Sequence, residues 1–216
     1  MELTADIEFP QNLFITGIDT DAGKSFATGW LARLIMSRNK SVITQKFVQT
    51  GNQEYSEDIE VHRRIMGIPM TKEDVEHITA PVIFTYPASP DLAAKLDGKE
   101  IDFEAISNAT KTLDSRYDHV LIEGAGGLMV PLKGDYLTID YIREHKLPVV
   151  LVTNGRLGSI NHTLLSLKAI ADENIELFAV LYNTYFDKDK IICEDTKQYI
   201  RNWLSSRFPQ SLYLEF

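Results

Sequence analysis

The sequence predicts an α/β fold of the doubly wound type, with a mainly parallel sheet flanked by helices. Short apolar runs recur along the chain without polar alternation, and amphipathic helical patterns separate them. Strands buried on both faces have continuous apolar runs, and strands that alternate with helices form a parallel sheet with right-handed crossovers. Glycine and polar residues also follow several of these runs, as expected for a sheet that binds ligands at its carboxyl edge.

Six segments are predicted to form strands, because each is a short and nearly uninterrupted apolar run. The pattern of the last segment is weaker than that of the others. In chain order they are Leu13–Thr16, Ser41–Phe47, His119–Ile122, Val149–Thr153, Leu177–Tyr182 and Ser211–Phe216. Because no internal repeat, low-complexity tract or linker separates them, residues 1–216 are expected to form one domain.

Helical patterns lie between the strands, where apolar residues recur at steps of three and four. After the first strand, one helix face is predicted to carry Phe26, Trp30, Leu31, Leu34 and Ile35. Four further helices are predicted at Asp102–Leu113, Leu137–His145, Ile160–Ala171 and Asp189–Trp203. Strands and helices thus alternate along the chain, in the order that a parallel sheet with helical crossovers requires.

The balance of charges limits the classes of partner. The chain carries 22 Lys and Arg residues against 31 Asp and Glu residues, a net charge of −9, and its cations do not cluster. Because binding to a phosphate backbone or an anionic bilayer needs clustered cations, we expect no nucleic acid and no membrane as main partner. Cys193 is the single cysteine of the sequence, which excludes a disulfide within the chain and a thiolate metal site.

The N-terminal segment MELTADIEFPQN is acidic and lacks the apolar core of a signal peptide. No apolar stretch of the sequence approaches the roughly 20 residues that a membrane-spanning helix requires. We therefore expect the protein to be cytoplasmic.

The stretch FITGIDTDAGKS, from Phe14 to Ser25, joins the first predicted strand to the first predicted helix. It resembles the phosphate-binding loop Gly-x-x-x-x-Gly-Lys-Ser/Thr, but five residues instead of four separate Gly17 from Gly23. Gly23 allows the backbone to approach a phosphate, Lys24 can reach the terminal phosphates, and the Ser25 hydroxyl can ligate Mg²⁺. The alternative interpretation is a glycine turn before an amphipathic helix. The strand before the loop and the helix after it favour nucleotide binding.

Two carboxylates are candidates for binding Mg²⁺ opposite this loop. Glu123 ends the apolar strand of HVLIEG, where a Mg²⁺-nucleotide site requires an acidic residue. Asp58 follows Ser56, which is predicted to cap a helix, and a carboxylate in a first helical turn also interacts favourably with the helix dipole. The alternative for both is a solvated end of a strand or helix. The small residues after Glu123 indicate backbone close to a ligand, and with Ser25 the carboxylates complete an oxygen-rich ligand set.

The segment KFVQTG follows the second predicted strand and contributes a further cation. Lys46 lies at the end of that buried strand, which is unfavourable for an ammonium unless it meets an anion. A lysine directed at the γ-phosphate stabilises charge during phosphoryl transfer, so Lys46 is a candidate catalytic residue. The alternative is that its ammonium extends into solvent. Thr50 follows in a turn as a candidate substrate contact. The helix start at Asn161, a predicted N-cap, is a candidate site for a carboxylate.

Taken together, these segments resemble the dethiobiotin synthetase family. The resemblance is carried by GIDTDAGKS, KFVQTG, SED, PASPDLAA, EGAGGLMVPL and LPVVLVTNGRLGSINHTLL, and it extends from about Leu13 to Asn183. It implies a P-loop NTPase-like domain, usually a homodimer with sites near the interface, and the longer phosphate loop is the one that this family uses. The implied reaction converts 7,8-diaminopelargonate, CO₂ and MgATP into dethiobiotin, ADP and phosphate, through a carbamate and a carbamic-phosphoric anhydride.

The resemblance also implies a role for each matching residue. The implied catalytic residues are Lys46 and Lys24, and the implied substrate contacts are Thr50 and Asn161. Ser25, Asp58 and Glu123 take the positions of the Mg²⁺ ligands. The residues implied to surround ATP are Asp21, Ala22, Gly23, Lys24, Ser25, Phe26, Asp58, Glu123, Gly124, Ala125, Gly126, Asn183 and Thr184. Among them, Asn183 matches the position that reads the adenine edge.

Three features depart from the family pattern. Phe47 stands where a proline often follows the active-site lysine, and Ser25 replaces the more common threonine. The third is the final SLYLEF, where relatives usually continue through a Gly-x-Ile/Leu-Pro segment beside the base. Adenine recognition is therefore expected to rest largely on Asn183.

Two other functions occur on related folds and are kept as alternatives. A ParA/MinD-like nucleotide switch has a lysine near the start of its phosphate loop, whereas GIDTDAG contains none. A cobyrinate-type amide ligase generally carries a glutaminase domain with a nucleophilic cysteine. This chain is short for such a protein, and Cys193 lies outside that kind of context.

Overall fold

A computed structural model describes residues 7–216 of the protein. Residues 1–6, half of the acidic N-terminal segment, lie outside the described residues. The strands are β1 (Asn12–Gly17), β2 (Val42–Lys46), β3 (Gln49–Thr50), β4 (Ile83–Phe84), β5 (His119–Gly127), β6 (Pro131–Lys133), β7 (Tyr136–Leu137), β8 (Val149–Asn154), β9 (Leu177–Asn183) and β10 (Leu212–Glu215). The helices are α1 (Lys24–Met36), α2 (Glu57–Met66), α3 (Lys72–Val75), α4 (Pro90–Leu96), α5 (Phe103–Asp114), α6 (Thr138–Glu144), α7 (Ser159–Asp172) and α8 (Lys190–Arg207). In this part of the chain, no helix is both long and apolar enough to cross a lipid bilayer.

Six of these strands form one sheet in the order β10-β9-β8-β1-β5-β2. Every neighbouring pair in this sheet is parallel. The predicted α/β fold with a mainly parallel sheet is confirmed, and each of the six predicted strands is a member of that sheet. The pairs β3–β4 and β6–β7 and the helix α3 escape prediction, because each has too few residues to show a period. The helix α4 is not predicted either.

The central strand β1 shows how the core is divided between the two faces of the sheet. Successive side chains of a strand point to opposite faces. Leu13 and Ile15 pack into an apolar cluster with α1, whereas Phe14 packs on the other face, where its ring lies 5.6 Å from that of Phe47. Because helices cover both faces, the strands are apolar throughout rather than alternating.

The prediction for the buried face of α1 is wrong at its first residue. Phe26 is 61% exposed, and the row that packs on the sheet consists of Ala27, Leu31 and Ile35. Apolar residues spaced by four show the same period whether the row starts at Ala27 or at Phe26, so the period alone does not decide which row is buried. Ala27, near the phosphate loop, is fully buried and has the smaller side chain. The larger Phe26 side chain lines the cavity described below.

The prediction that Asn161 caps a helix is also wrong. The helix α7 begins two residues earlier, at Ser159, with Gly158 as its N-cap in the left-handed region at φ 95°. The Ser159 hydroxyl donates to the Asn154 side chain at 2.6 Å, which fixes the first turn against the end of β8. Asn161 is therefore the third residue of the helix, and it is exposed.

The strand order determines where a ligand can bind. The strand β1 lies between β5 and β8. The next strand in the chain, β2, lies at the edge of the sheet, and the later strand β5 lies between β1 and β2. In open α/β sheets, such a reversal of strand order creates a crevice beyond the carboxyl ends of the strands. The phosphate loop after β1 and the ends of β2, β5 and β9 meet at this crevice.

Candidate active site

The loop between β1 and α1 is shaped by its glycines. Gly17 ends β1, and a Cβ there would lie 2.9 Å from the Asp19 carbonyl oxygen. Gly23 is left-handed at φ 96°, and a Cβ there would collide with the Asn183 amide nitrogen. The Asp19 side chain accepts the Thr20 N–H at 2.7 Å and caps the 3₁₀ turn that follows. The loop therefore turns tightly into the N-terminus of α1, as a backbone that approaches a phosphate requires.

Lys24 is the first residue of α1, and only 5% of it is exposed. Its ammonium donates to the carbonyl oxygens of Asp19 and Thr20, each at 3.0 Å. Burial and the neighbouring Lys46 ammonium lower the pKa of Lys24 to about 8, despite the nearby carboxylates. Charge-assisted bonds to phosphate are stronger than bonds to carbonyls. An anion in the loop can therefore replace the two carbonyls as the partner of Lys24.

Four predicted residues from four elements meet in one group, which we call the carboxylate–lysine cluster: Ser25, Lys46, Asp58 and Glu123. Lys46 ends β2, and the register of the sheet places it beside Glu123 of β5. The Lys46 ammonium lies 2.8 Å from Glu123 Oε1 and 2.5 Å from Asp58 Oδ2. The Ser25 hydroxyl lies 2.7 Å from Asp58 Oδ1 and 3.0 Å from Glu123 Oε1. The structure thus brings all four side chains together.

The helix α2 delivers Asp58 because its N-terminus is fixed beside the sheet. Ser56 caps this helix as predicted, accepting the Ile59 N–H at 3.2 Å. The same hydroxyl donates to the Gln49 side chain at 2.6 Å, and both bonds are buried. Asp58 is then the second residue of the helix, where the helix dipole favours a carboxylate.

The charges of the cluster depend on one another. Burial alone would raise the pKa of Glu123, but the Lys46 ammonium and the His62 ring hold it well below its usual range. Burial alone would lower the pKa of Lys46, but Glu123 and Asp58 raise it above its usual value. Glu123 is therefore ionised and Lys46 protonated, although both are almost fully buried. Removing either one leaves an uncompensated charge, which is strongly unfavourable in a protein interior.

His62 is absent from the sequence-based candidates, yet it contacts the cluster. It is fully buried on α2, and its Nε2 lies 2.5 Å from Glu123 Oε2 while its Nδ1 lies 3.0 Å from Thr44 Oγ1. His62 follows Asp58 by four residues, and side chains four apart lie on the same face of a helix. That spacing from a carboxylate already assigned to the site is the sequence signal that identifies it.

A cavity of about 1000 Å³ opens over the phosphate loop and the cluster. It is large enough to bind a small molecule. The predicted site residues that line it are Asp21, Gly23, Lys24, Ser25, Phe26, Lys46, Thr50, Asp58, Glu123, Ala125, Gly126, Asn183 and Thr184. Arg156, Phe186 and Phe216 line it as well, and none of the three is among the site residues predicted from the sequence. The Arg156 guanidinium lies over the Phe186 ring, 3.8 Å from its centroid.

Three predicted site residues, Ala22, Gly124 and Asn161, are not part of this lining. Ala22 is fully buried, and its carbonyl accepts the Asn183 amide at 3.1 Å. The Gly124 carbonyl accepts the Lys46 ammonium at 3.2 Å. These two residues therefore support the site through their backbone. Asn161 is exposed on α7 and is not brought to the cavity.

Asn183 and Thr184 form one side of the cavity together with Phe216. The buried Asn183 side chain donates to the Ala22 carbonyl and accepts the Tyr185 N–H at 3.0 Å. The Thr184 hydroxyl and N–H both donate to the Phe216 carbonyl, at 2.7 and 3.0 Å. These bonds hold Phe216 in the cavity wall, so the segment SLYLEF supplies an aromatic surface beside Asn183.

The donors of the cluster fit Mg²⁺. One hydroxyl and two carboxylates converge, with Ser25 Oγ within 3.0 Å of a carboxylate oxygen of both Asp58 and Glu123. Mg²⁺ takes hard oxygen ligands, uses one or two carboxylates, and completes its shell with phosphates and waters. The residues suited to hold the metal are therefore Ser25, Asp58 and Glu123, beside the loop that suits the phosphates.

The fold, the phosphate loop and the adjacent cluster define a nucleotide-binding protein of the P-loop NTPase class. A family model described as an AAA domain matches residues 11–205. Among solved structures, a plasmid partition protein from Borrelia burgdorferi B31 bound to AMPPNP superposes with a TM-score of 0.56 at 13% identity, covering 97% of this chain and 87% of that chain. At this identity, the likeness concerns the fold alone.

Sequence comparison identifies the family within that class. An ATP-dependent dethiobiotin synthetase BioD 2 from Pasteurella multocida is 48% identical, over 93% of this chain and 94% of its own length. An ATP-dependent dethiobiotin synthetase BioD from Chlorobaculum tepidum is 48% identical, over 88% of this chain and 80% of its own length. The chain belongs to the ATP-dependent dethiobiotin synthetase family, and the resemblance stated from its motifs is confirmed.

Proposed function

We propose that the chain is an ATP-dependent synthetase that carboxylates 7,8-diaminopelargonate with CO₂ and closes the product to dethiobiotin, releasing ADP and phosphate. The observation that carries this proposal is the carboxylate–lysine cluster, which lines the same cavity of about 1000 Å³ as the phosphate loop. Membership of the family provides the identity of the substrates.

The reaction needs ATP because a carbamate is a poor acylating agent. One amine adds to CO₂ and loses a proton, which gives a carbamate anion. A carbamate oxygen then attacks the γ-phosphorus and displaces ADP, forming a carbamic-phosphoric anhydride. The second amine attacks the carbonyl carbon of the anhydride and expels phosphate, which closes a cyclic urea. The protein must therefore bring two anions together, and this requires positioned cations.

We assign the positive charges that this reaction requires from the protein to Lys24 and Lys46. Lys24 binds the terminal phosphates of ATP in this proposal, and Lys46 stabilises the charge that develops on the transferred phosphoryl group. Their position in the lining of one cavity supports the assignment. The assigned nucleotide contacts also include residues 21–26 and 123–126, with Asn183 and Thr184 at the base.

We assign Mg²⁺ to Ser25, Asp58 and Glu123, whose donor chemistry supports this role. When bound, the metal supplies positive charge to the phosphate oxygens of ATP. The protein's own contribution is to keep Glu123 ionised despite its burial, because the Lys46 ammonium and the His62 ring hold its pKa well below the usual range.

Two residues are assigned to the diaminopelargonate. Thr50 is half-buried in the cavity lining, where its hydroxyl can contact an amine or a carbamate. Asn161 is exposed near the start of α7. In a homodimer with sites near the interface, an exposed residue of one copy can contact the cavity of the other. We therefore propose that Asn161 binds the substrate carboxylate in the dimer.

The test measures phosphate release with MgATP, diaminopelargonate and bicarbonate, each substrate being omitted in turn. We expect release to require both substrates and mass spectrometry to detect dethiobiotin. Release that needs neither and responds to a protein partner contradicts the proposal and favours a ParA/MinD-like switch. Glutamine-dependent formation of an amide favours a cobyrinate-type ligase.

The other expectations from the sequence stay predictions. They are a single synthetase domain over residues 1–216, a homodimer, a cytoplasmic location, and the lack of nucleic acid or membrane as partner. Size-exclusion chromatography with light scattering tests the homodimer, and filter binding with DNA tests the expectation about nucleic acid.

A further inference from the structure

His62 is a fully buried histidine that contacts the cluster but lies outside the cavity lining. Its two ring nitrogens face different partners: Nε2 lies 2.5 Å from Glu123 Oε2, and Nδ1 lies 3.0 Å from Thr44 Oγ1. A buried polar group without a partner is costly, so both contacts define which nitrogen carries a proton.

The Glu123 carboxylate assigns the tautomer of the histidine, and the partners of Thr44 are compatible with that assignment. The Arg63 guanidinium donates to Thr44 Oγ1 at 2.7 Å, so this oxygen already accepts one hydrogen bond. The single hydroxyl proton of Thr44 is then available for His62 Nδ1, and in the neutral ring the remaining proton lies on Nε2. Nε2 also carries a proton in the charged ring. In both forms, Nε2–H donates to Glu123, which is ionised and can only accept.

The far end of this chain of hydrogen bonds is rigid. Arg63 binds Asp74 of α3 through two parallel bonds, Nε to Oδ2 at 2.8 Å and a terminal nitrogen to Oδ1 at 2.7 Å. Both residues are almost fully buried. Asp74 also accepts the Thr79 hydroxyl at 2.7 Å. Bidentate pairs of this kind fix orientation as well as position, so Thr44 and the histidine are held in place.

The consequence for Glu123 is that its two oxygens have separate partners. Oε2 accepts from His62, whereas Oε1 faces Ser25 at 3.0 Å and Lys46 at 2.8 Å. A glutamate side chain has one more rotatable bond than an aspartate side chain. A glutamate carboxylate whose second oxygen has no partner can therefore rotate and exchange the positions of its two oxygens. A hydrogen bond to the oxygen that does not face the metal restricts this rotation. Loss of such a partner typically lowers metal affinity or activity by about 10- to 100-fold.

We propose that His62 is a positioning residue that holds Glu123 so that only Oε1 points into the site, with the Thr44–Arg63–Asp74 chain as its anchor. The proposal rests on the proposed function, because it assigns Glu123 to the metal of the nucleotide complex. His62 contacts neither substrate nor nucleotide and acts through Glu123 alone.

The test compares two substitutions at this position in the full-length protein. His62→Leu removes the donor to Glu123, whereas His62→Gln keeps an N–H donor near the position of Nε2. The matched control is His119→Leu, because His119 is also nearly buried but is the first residue of β5, away from the cluster, and bonds to the Pro10 carbonyl. Mn²⁺ affinity is measured by calorimetry in the presence of AMPPNP, and steady-state phosphate release is measured in parallel.

We expect His62→Leu to lower Mn²⁺ affinity and kcat by about 10- to 100-fold, with the KM for ATP changed far less. His62→Gln and His119→Leu are expected to stay within a few-fold of the wild type. Wild-type metal affinity in His62→Leu overturns the proposal. Equal losses in the Leu and Gln variants overturn it as well, because they indicate a packing role. If the unsubstituted protein binds no Mn²⁺ with AMPPNP, the proposed function fails, and this inference fails with it.

A second measurement reads the protonation of His62 directly in the unsubstituted protein. In protein labelled with ¹⁵N-histidine, the nitrogen shifts of His62 report which ring nitrogen is protonated, and His62→Gln assigns the signals. We expect a protonated Nε2 with and without nucleotide. A ring protonated on Nδ1 alone, with a bare Nε2, refutes the donation to Glu123.

Discussion

Replacement of Lys46 by methionine is expected to destabilise the protein in a way that Mg²⁺ reverses. The substitution removes the ammonium but keeps most of the side-chain volume, so it leaves little cavity at the end of β2. In the unsubstituted protein, that ammonium lies 2.8 Å from Glu123 Oε1 and 2.5 Å from Asp58 Oδ2. Without it, two carboxylates face one another, and the side chain of Glu123 is 1% exposed.

The expected loss follows from the burial of the pair. Removing one partner of a buried ion pair costs about 3–5 kcal/mol, because the remaining charge is uncompensated. The Asp58 side chain is 25% exposed, and His62 still donates to Glu123, so we expect a loss of about 3 kcal/mol in the free energy of unfolding. A ligand that binds the folded state alone at a hundredfold excess over its Kd contributes about 2.7 kcal/mol. Mg²⁺ is therefore expected to recover most of the loss.

The assay is urea unfolding followed by circular dichroism, first with EDTA and then with Mg²⁺. The control is Lys95→Met, because Lys95 is 65% exposed and pairs with Asp91 one helical turn away. Exposed pairs contribute about 0.2–1 kcal/mol, so this variant should remain close to the unsubstituted protein under both conditions. A Lys46→Met protein that is as stable as the control in EDTA contradicts a stabilising role of the buried pair. So does one that Mg²⁺ stabilises no more than it stabilises the unsubstituted protein.

Four further predictions concern nucleotide binding and turnover. Lys46→Met should lower kcat about 10²- to 10³-fold in steady-state phosphate release, with the KM for ATP nearly unchanged, since its charge acts on the transition state; an equal rise in KM would contradict this role. Lys24→Ala should weaken AMPPNP binding by about 10- to 100-fold in calorimetry, the equivalent of one charge-assisted hydrogen bond. The affinity of the unsubstituted protein should fall as the pH rises above about 8, the pKa of Lys24, because the ammonium is protonated below that value and neutral above it. Gly23→Ala should abolish AMPPNP binding because its Cβ collides with Asn183, whereas Gly67→Ala, also left-handed but with open space around its Cβ, should retain it; equal affinities would disprove the tight turn.

The sequence predicts the parts of the site that depend on a short local segment or on the general geometry of a parallel sheet. The phosphate loop is one example, because Gly23 and Lys24 follow a strand and open a helix within a single short segment. Asp58 is another, since the cap at Ser56 fixes the start of its helix. The convergence of Lys46 with Glu123 is also predictable, because parallel strands place their carboxyl ends at one edge of the sheet.

The parts that escape prediction depend on contacts between distant segments. The bond from His62 to Glu123 joins residues 61 positions apart, and the local sequence marks the histidine only by its four-residue spacing from Asp58, which does not indicate the contact with Glu123. Phe216 reaches the cavity because its carbonyl accepts the Thr184 hydroxyl just beyond the paired ends of β9 and β10. The wrong N-cap prediction at Asn161 has a local cause. Both Asn161 and Gly158 suit an N-cap, and the Ser159 contact with the end of β8 decides between them.

The position of β1 in the sheet has a consequence for synthesis of the protein on the ribosome. This strand emerges early, but its pairing partners are β5 and β8, with Asn12 opposite Val120 and Phe14 opposite Val149. Such long-range pairing is slow to form, and the apolar strand stays exposed until its partners have been translated. Nascent chains that end before β8 should therefore fail to retain ATP and should depend on chaperones, even though they already contain the whole phosphate loop.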